Sequence, residues 1–392
     1  MKRTLLPLLL FAFAFSAKAQ NTCTQKTNFG GNIRYAPVSF SIGTVGYIGT
    51  GYDGTTYYAD FWAWNQSTNT WTQKANFGGS GRNIGVGFSI GNFGYIATGN
   101  SMSGYTRDMW EYDPVGNTWT QKANFGGTAR MGAVGFSIGN KGYIGTGYDG
   151  AYKQDFWEYD QATDTWAPKT NFAGNARFRA TGFAVGSKGY IGTGDSPSFS
   201  TDLWEWDQST NAWAQKANFG GVPRRDATGF SIGSKGYIGT GYNGSPLGDF
   251  WEYDPVGNTW LQRANFGGGI RQWATGFSIG SYGYIGTGIN SGYWKDLWEY
   301  STMPSTSTND LEAEFNVSVL TNPTDGKFEI RSNTPEELIV TVFNLSGQKI
   351  SSVAFSKYIL LDLTEQSKGI YLAQVTDKNS ARSCKTIKLI LE

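Results

Sequence analysis

Histidine is absent from the 392 residues of this sequence, and cysteine occurs only twice, as Cys23 and Cys384. Histidine is the commonest general base near neutral pH and the commonest transition-metal ligand. Its absence excludes a Ser-His-Asp hydrolase, a histidine-ligated zinc site and a histidine-ligated copper oxidase. The two cysteines have no metal-binding spacing, and a disulfide between them stays open as an alternative. We expect no metal and no other cofactor.

Charge is also scarce, whereas glycine and aromatic residues are abundant. Charged residues make up 16% of the chain and the net charge is +1, so we expect no nucleic-acid partner. The chain has 54 glycines, and aromatic residues account for 16%. Glycine-rich turns with many Trp, Tyr and Phe favour an all-β protein, because flat rings pack well between pleated sheets.

The only long apolar run lies at the N-terminus. Residues 1–19 have the pattern of a signal peptide: Lys2 and Arg3 are basic, an apolar stretch follows, and Ala17-Lys18-Ala19 is a small-x-small cleavage site. The run is too short to cross a bilayer. No other stretch is suited to do so, and we therefore expect a secreted monomer without a transmembrane segment.

An internal repeat dominates the next part of the chain. The segment Gly-Tyr-Ile-(Gly/Ala)-Thr-Gly recurs six times at steps of 47 or 48 residues, with its tyrosine at Tyr47, Tyr95, Tyr143, Tyr190, Tyr237 and Tyr284. Each copy is followed by Asp-x-Trp-x-(Tyr/Trp), which begins at Asp60, Asp108, Asp155, Asp202, Asp249 and Asp296. A period in this range is typical of repeat architectures in which each unit packs only on its neighbours.

Each unit divides into four short strands. In the third copy we predict strands at 133–138, 143–146, 156–159 and 165–169, with a turn at 139–142. Four strands per unit is one blade of a β-propeller. The paired glycines followed by Tyr and Trp resemble the kelch repeat over residues 22–300, although Thr separates the glycines here. The sequence therefore predicts an all-β fold with a six-bladed kelch-type propeller over residues 20–300.

The ring is predicted to close through the N-terminus. The sixth copy lacks a fourth strand, since position 307 is Ser rather than Trp. The segment Cys23 to Gly31 matches Trp119 to Gly127, with Cys in place of Trp. We expect this N-terminal strand to complete the last blade, which leaves no open sheet edge, and Cys23 to be a half-buried core residue.

An arginine precedes the first strand of every blade, close to the expected mouth of the central channel. These six residues are Arg34, Arg82, Arg130, Arg177, Arg224 and Arg271. In one interpretation they form a ring that binds an anionic ligand, since guanidinium pairs well with carboxylates, and some kelch domains, by resemblance, hold acidic peptides in this way. In the other they are structural and bond to carbonyls or carboxylates of a neighbouring blade.

The two positions after each arginine vary completely among the blades. Such variation on a fixed frame suits a ligand surface, although drift at an indifferent surface is the alternative. The candidates here are Phe178, Arg179, Arg225 and Trp273. The loops between the second and third strands also carry aromatic residues that either contact a ligand or fold back over their own blade, with Tyr58, Tyr105, Tyr152, Phe199 and Trp294 as candidates.

The acidic residues of the repeat are expected to be structural. Glu111, Glu158, Glu205, Glu252 and Glu299 recur at one position, as do the Asp residues before Trp. Paired carboxylates hydrolyse glycosides in many enzymes. However, a catalytic pair needs one special site rather than a repeated one, so we expect no enzyme active site among them.

The repeat ends before residues 301–314, a polar linker. Residues 315–392 alternate apolar and polar residues and predict a small C-terminal β-sandwich. Its motifs are Asn322-Pro323 with Gly326, a turn ending at Gly347, Gly369 with Tyr371, and a closing segment that contains Lys388. They resemble the type A sorting domain of the type IX secretion system. The resemblance implies the secretion machinery as a partner and a route through the periplasm to release or attachment at the cell surface.

Three functions compete at this point. The leading prediction is a non-catalytic extracellular binding module that recognises a glycan or a protein through the channel-mouth face, because no catalytic constellation stands out. The second is a sugar-modifying enzyme that resembles the kelch sialic acid mutarotases, in which arginines would hold an anionic sugar. The third is a structural adhesin component. A fold alone does not choose among them.

Overall fold

The computed structural model describes residues 22–302, 317–320, 324–332, 337–344, 348–377 and 383–391. The predicted signal peptide and most of the predicted linker lie outside these ranges. The chain divides into two compact units, residues 1–305 and 306–392. All the regular elements of the described residues are β-strands. These residues contain no helix with the length and hydrophobicity needed to cross a membrane.

The N-terminal unit is the expected all-β propeller. Within residues 22–302 it has six four-stranded antiparallel sheets, named blades 1 to 6 in chain order. From the inside outwards, blade 1 contains Val38–Ile42, Val45–Gly49, Phe61–Asn65 and Thr70–Lys74, and blade 2 contains Val86–Ile90, Phe93–Ala97, Met109–Asp113 and Thr118–Lys122. Blade 3 contains Val134–Ile138, Lys141–Gly145, Phe156–Asp160 and Thr165–Lys169, and blade 4 contains Thr181–Val185, Lys188–Gly192, Leu203–Asp207 and Ala212–Lys216. Blade 5 contains Thr228–Ile232, Lys235–Gly239, Phe250–Asp254 and Thr259–Arg263, and blade 6 contains Thr275–Ile279, Tyr282–Gly286, Leu297–Ser301 and, outermost, Thr22–Lys26. Short two-residue strands lie in loops at Arg82–Asn83, Asn100–Ser101, Gly104–Tyr105, Asp195–Ser196 and Ser198–Phe199.

The second strand of each blade starts earlier than the sequence predicts. In blade 3 it starts at Lys141 instead of Tyr143, because Ile138 already pairs with Lys141 across a two-residue turn. Gly139 is the first residue of this turn and has a φ of 57°, as a type II′ hairpin turn requires. The predicted four-residue turn is thus a tight hairpin.

The innermost strands pack side by side in a closed circle, in which blade 6 meets blade 1. The glycine before each repeated tyrosine permits this packing. At Gly94 an added Cβ would lie 2.1 Å from the ring of Phe40 in the preceding blade, and at Gly46 it would lie 2.2 Å from Phe277 across the closure. A side chain at these positions would push neighbouring blades apart.

The N-terminal strand closes the ring, as the repeat alignment predicts. Thr22–Lys26 pairs with Leu297–Ser301, and Cys23 lies opposite Tyr300. Cys23 is a half-buried free thiol that packs against the core shared by blades 5 and 6, and burial raises its pKa. The side chain of Cys384 lies outside the described part of the chain.

The outermost strand of most blades carries a cation that is paired with the recurring glutamate. In blade 3, Lys169 Nζ lies 3.0 Å from Glu158, and the Tyr143 hydroxyl donates to the same carboxylate over 2.6 Å. Equivalent pairs occur at Lys26–Glu299, Lys122–Glu111, Lys216–Glu205 and Arg263–Glu252. Blade 1 has Ala63 at the glutamate position. The recurring glutamates are therefore part of the sheet framework.

The C-terminal unit is a β-sandwich, as predicted. One sheet contains Val317–Leu320, Lys327–Ser332 and Tyr358–Asp362, and the other contains Lys349–Phe355, Leu338–Asn344, Gly369–Asp377 and Ser383–Leu391. Buried residues from both sheets, such as Phe328, Val340 and Leu389, form one hydrophobic core. Burying such side chains is the main stabilising contribution in a domain of this size.

Candidate functional site

The six repeated arginines are buried inside their own blades. Arg224 is 0% exposed, and both of its terminal nitrogens donate to the Asp249 carboxylate over 2.6 Å. It also donates to the Thr240 carbonyl, and its guanidinium lies 4.7 Å from the Phe219 ring. The same ion pair recurs as Arg34–Asp60, Arg82–Asp108, Arg130–Asp155, Arg177–Asp202 and Arg271–Asp296.

These contacts make the six arginines part of the framework. Each arginine bonds a carboxylate of its own blade, not of a neighbouring blade as the structural interpretation expected. Burial alone would raise the pKa of Asp249, but the hydrogen bonds and charge of Arg224 lower it. A guanidinium that is fully buried and paired with a carboxylate of its own blade is out of reach of a ligand, so these six are not carried into the proposed site.

The channel mouth is built by a closed ring of main-chain hydrogen bonds. The second variable residue of each blade donates its N–H to the carbonyl of the equivalent residue in the preceding blade, over 2.8–3.2 Å. The six residues of this mouth ring are Ala36, Ile84, Gly132, Arg179, Asp226 and Trp273. All six have φ between 48° and 62°. Left-handed backbone is strained for a β-branched residue such as Ile84, so the ring is held by the surrounding blades.

The mouth ring lies at one end of the central channel. The next three residues of every blade line a cavity of about 160 Å³. At the middle of these three positions, one half of the wall is apolar and the other is polar. Blades 1 to 3 contribute Val38, Val86 and Val134, whereas blades 4 to 6 contribute Thr181, Thr228 and Thr275. The polar half of the channel belongs to the blades that carry Arg179, Asp226 and Trp273 in the mouth ring.

Arg179 is held between two aromatic rings at this mouth. Its guanidinium carbon lies 4.7 Å from the centre of the Phe178 ring and 5.0 Å from that of Trp273. The Trp273 ring is itself stacked on Tyr35 at 4.7 Å. The Arg179 side chain keeps 15% exposure, and among the described residues no group accepts a hydrogen bond from its Nη1 or Nη2. Two rings within cation–π distance restrain the guanidinium and leave Nη1 and Nη2 available.

Asp226 lies beneath this arginine and is almost completely buried, with 1% side-chain exposure. Its carboxylate is 3.7 Å from Arg179 Nε and 3.3 Å from Arg225 Nε. Within residues 22–302, neither carboxylate oxygen, neither arginine Nε atom and not the Trp273 indole nitrogen makes a hydrogen bond of good geometry, although all of them are buried. The Trp273 indole N–H is nevertheless close enough to Asp226 to lower the pKa of the carboxyl group. Buried polar groups are nearly always hydrogen-bonded, so this concentration marks a special site.

Burial dominates the electrostatics of Asp226. Burial raises the pKa of its carboxyl group to about 6, and the charges of Arg179 and Arg225 and the Trp273 indole N–H offset this rise only in part. The charge of Asp195 also raises the pKa. Arg225 divides its charge between two carboxylates, because its Nη1 also donates to Asp195 over 2.7 Å. A carboxyl group with a pKa near neutrality in a cleft is a typical feature of functional sites.

The predicted aromatic candidates fall into two groups. Tyr152 packs on Phe178 at 5.4 Å, and Phe199 lies 5.2 Å from the Arg225 guanidinium, so both join the mouth. Tyr105, 37% exposed, extends this surface through Tyr148. The other two cover framework arginines of their own blades.

Tyr58 lies 4.1 Å from the Arg34 guanidinium and donates to Asp53. Trp294 lies 5.3 Å from Arg271 and lines a separate groove of about 340 Å³, together with Gln25 and Asn28, where blade 6 meets blade 1.

Three residues of the mouth were not among the predicted site residues, although Tyr35 and Asp226 stand at the variable positions after the repeated arginines. Asp226 is the only acid in the mouth ring, and Asp195 is the only acid directly after a repeated Gly-Thr-Gly. Tyr35 stacks on Trp273 and Tyr293. Acids that occur once against a sixfold background were the available signal. No group of three or more Asp, Glu or Cys side chains in the described ranges is arranged to hold a metal ion.

The N-terminal unit is thus a β-propeller, and comparisons with known proteins address each of the two units. Residues 318–391 match the family model of the secretion system C-terminal sorting domain, which bears out the prediction from the C-terminal motifs. The solved structure of YjhT is similar over 69% of this chain and 95% of its own, with 15% identity and a TM-score of 0.61. At this identity the likeness concerns the fold alone. No curated protein matches the chain.

The sorting-domain motif residues have clear structural roles where they are described. Gly326 has a φ of 133°, and an added Cβ would lie 2.6 Å from Thr364. Gly369, with a φ of 150°, begins a strand in which Tyr371 is buried and donates to the Ser367 carbonyl. Lys388 is exposed on the last strand. Asn322, Pro323 and Gly347 lie outside the described residues. The matched family implies export to the cell surface or the medium.

Proposed function

We propose that the propeller is a non-catalytic extracellular binding module that holds a glycan or protein ligand at the channel mouth. The single observation that supports this most is Arg179, stacked between Phe178 and Trp273 with Nη1 and Nη2 unpartnered among the described residues. A fixed guanidinium edge suits an acidic group of the ligand, because its donors match a carboxylate in pairs.

The surrounding rings supply the rest of the contact surface. Tyr152 and Tyr105 are 36% and 37% exposed. The Phe199 ring packs against the Arg225 guanidinium. Aromatic rings stack on sugar faces and anchor protein interfaces, and both uses need partly exposed rings on a rigid support. The route that we propose is a signal peptide followed by outer-membrane export, with the sorting domain as the partner of the secretion machinery.

A glycan array with the purified chain tests this function. The variant carries Arg179→Ala, Arg225→Ala and Trp273→Ala together, and the control carries Arg107→Ala, which removes an exposed arginine from a loop of blade 2. We expect binding to acidic glycans that the triple variant loses and the control keeps. A folded chain that binds no glycan would direct the search to protein ligands, and a ligand retained by the triple variant would contradict the mouth as its site.

A second function rests on Asp226. A single buried carboxyl group with a pKa of about 6 is suited to acid–base catalysis near neutral pH, as a sugar-modifying enzyme of the sialic acid mutarotase kind would need. NMR exchange between the anomers of N-acetylneuraminate, with the chain and with Asp226→Asn, distinguishes the two functions. A rate increase that the variant loses would favour the enzyme, and an unchanged rate would favour the binding module.

A further inference from the structure

Four charged groups face one another at the mouth. Arg179 and Arg225 are the cations, and Asp226 and Asp195 are the anions. With every group ionised their charges cancel. Protonation of Asp226 would leave one net positive charge between the Phe178 and Trp273 rings, where Arg179 already presents two unpartnered nitrogens.

The two carboxylates of the cluster are held in very different ways. Asp195 accepts a hydrogen bond of 2.7 Å from Arg225. Asp226 lies within ion-pair distance of both arginines but has no hydrogen bond to either. An ionised carboxylate is stabilised by hydrogen bonds to its oxygens. Within residues 22–302 no hydrogen bond of good geometry reaches the oxygens of Asp226, and the neighbouring Trp273 indole N–H offsets only part of the effect of burial on its pKa. It is therefore the group of the four that is most readily neutralised.

We infer that an anionic ligand at the channel mouth is bound together with one proton, which is taken up by the Asp226 carboxylate. This inference rests on the proposed function. The ligand's anionic group takes the place of Asp226 as the counter-ion of Arg179 and Arg225. The proton comes from solvent and converts the carboxylate to a carboxylic acid, and no bond of the ligand is formed or broken.

Two tyrosines also face the cluster: Tyr242, whose ring lies 5.4 Å from the Arg225 guanidinium, and Tyr35, which stacks on Trp273. Burial and the nearby Tyr293, Tyr52 and Tyr57 raise the pKa of Tyr35 to about 12, so Tyr35 is already protonated. The consequence is a linked equilibrium: the affinity for the anion rises as the pH falls, by at most about tenfold per pH unit for one proton. The rise levels off below the pKa of Asp226 in the free chain.

Calorimetric titration of the purified chain with D-glucuronate tests this coupling. The titration is run near neutral pH in two buffers with different ionisation heats, and the difference in heat counts the protons taken up. We expect a fractional uptake of up to about one proton per ligand. Asp226→Asn should abolish the uptake and remove the pH dependence of the affinity. Asp195→Asn, which removes the hydrogen-bonded carboxylate, should keep the uptake.

The outcomes separate the two proposals. Binding without proton uptake, or uptake that persists in Asp226→Asn, would overturn the inference and leave the proposed function standing. Failure of D-glucuronate to bind, with D-glucose as the neutral comparison, would overturn the inference and leave the proposed function to be decided by the glycan array. An NMR titration of the Asp226 carboxyl carbon in the unmodified chain gives an independent reading, since saturating D-glucuronate should raise its pKa.

Discussion

Arg224 and Arg225 are neighbours in sequence and have opposite roles. Arg224 is 0% exposed and makes two hydrogen bonds to one carboxylate of its blade. Arg225 keeps 25% side-chain exposure, divides its charge between Asp195 and Asp226, and lies against Phe199. The first occurs in all six blades and the second in one.

The difference teaches how to separate framework from site in a repeat protein. A residue that recurs in every blade satisfies a need that every blade has, here a carboxylate and a carbonyl that would otherwise be buried unpaired. A residue that occurs once cannot serve that need. Residue type does not distinguish the two roles, because both are arginines, but repetition does.

The largest expected effect comes from removing the repeated arginine. Arg224→Ala removes both guanidinium hydrogen bonds from the half-buried Asp249, which keeps the Trp251 indole N–H as a donor. Loss of the partner in a largely buried ion pair costs up to about 3–5 kcal/mol of unfolding free energy. Arg225→Ala should cost about 1 kcal/mol or less, as partly exposed pairs do. Urea unfolding followed by tryptophan fluorescence measures the propeller alone, because all 15 tryptophans precede residue 299. Equal losses in the two variants would break the comparison.

The next largest effect on stability is expected at Asp226, the acid that occurs in the mouth ring of one blade only. A rise in the pKa of Asp226 from 3.8 to about 6 corresponds to about 3 kcal/mol. The folded chain holds this proton more tightly than the unfolded chain. The stability due to the protonated form is therefore complete below about pH 4 and is lost as the pH rises through about 6.

Asp226→Asn should therefore be more stable than the natural chain at pH 7, by up to about 3 kcal/mol. The advantage should shrink as the pH falls from about 6 to about 4, which urea unfolding at several pH values measures. Asp195→Asn serves as the control and should not gain stability. A variant that is destabilised at pH 7 would mean that the carboxylate contributes more to the fold than its burial costs.

A smaller effect is expected at the closing strand. In the other five blades a tryptophan takes the position of Cys23, lies 5.0–5.2 Å from a phenylalanine ring, and donates its N–H to a carbonyl of the preceding blade. Cys23→Trp should restore this contact on Phe266 and stabilise the propeller by about 1 kcal/mol. Thermal unfolding measures the gain, and Cys23→Ser should not show it.

The smallest effect concerns the framework position that blade 1 lacks. Ala63→Glu should let Tyr47 donate to a carboxylate that also faces Lys74, as in the other blades. The expected gain is about 0.5 kcal/mol, because cross-strand and surface charge pairs are weak. The reverse change, Glu158→Ala in blade 3, should lose a similar amount in the same thermal assay. A large response to either would show that the cations on the outer strands do more than pair with glutamate.

The architecture was largely predictable because the repeat exposes it. The recurrence of Gly-Tyr-Ile and Asp-x-Trp marks the strands, and the match of Cys23–Gly31 to Trp119–Gly127 predicts the closing strand that pairs with Leu297–Ser301. The strand starts near Lys141 were missed, because a glycine in a turn and a glycine packed against a ring look alike in sequence. Only the ring of Phe88 in the preceding blade, 2.5 Å from an added Cβ at Gly142, distinguishes them.

The site was predictable only in part. Variation after the repeated arginines led to Phe178, Arg179, Arg225 and Trp273, which the structure brings together around Asp226. A sixfold pattern is equally compatible with pairs inside one blade and pairs between blades, so the partner of each framework arginine could not be chosen. The burial of Asp226 depends on three blades at once, and no local pattern carries that information.

Main-chain hydrogen bonds close the mouth ring in all six blades, whichever side chain each blade carries there, so closure of the ring does not depend on the side-chain contacts among Arg179, Asp226 and Trp273. A pair such as Arg225-Asp226 could be moved to blade 2, in place of Asn83-Ile84, without altering a single bond of the ring. Duplication of blades would then supply copies of one scaffold on which specificity changes by recombination as well as by point mutation. In protein engineering terms, the channel mouth is a six-position library whose members share one backbone.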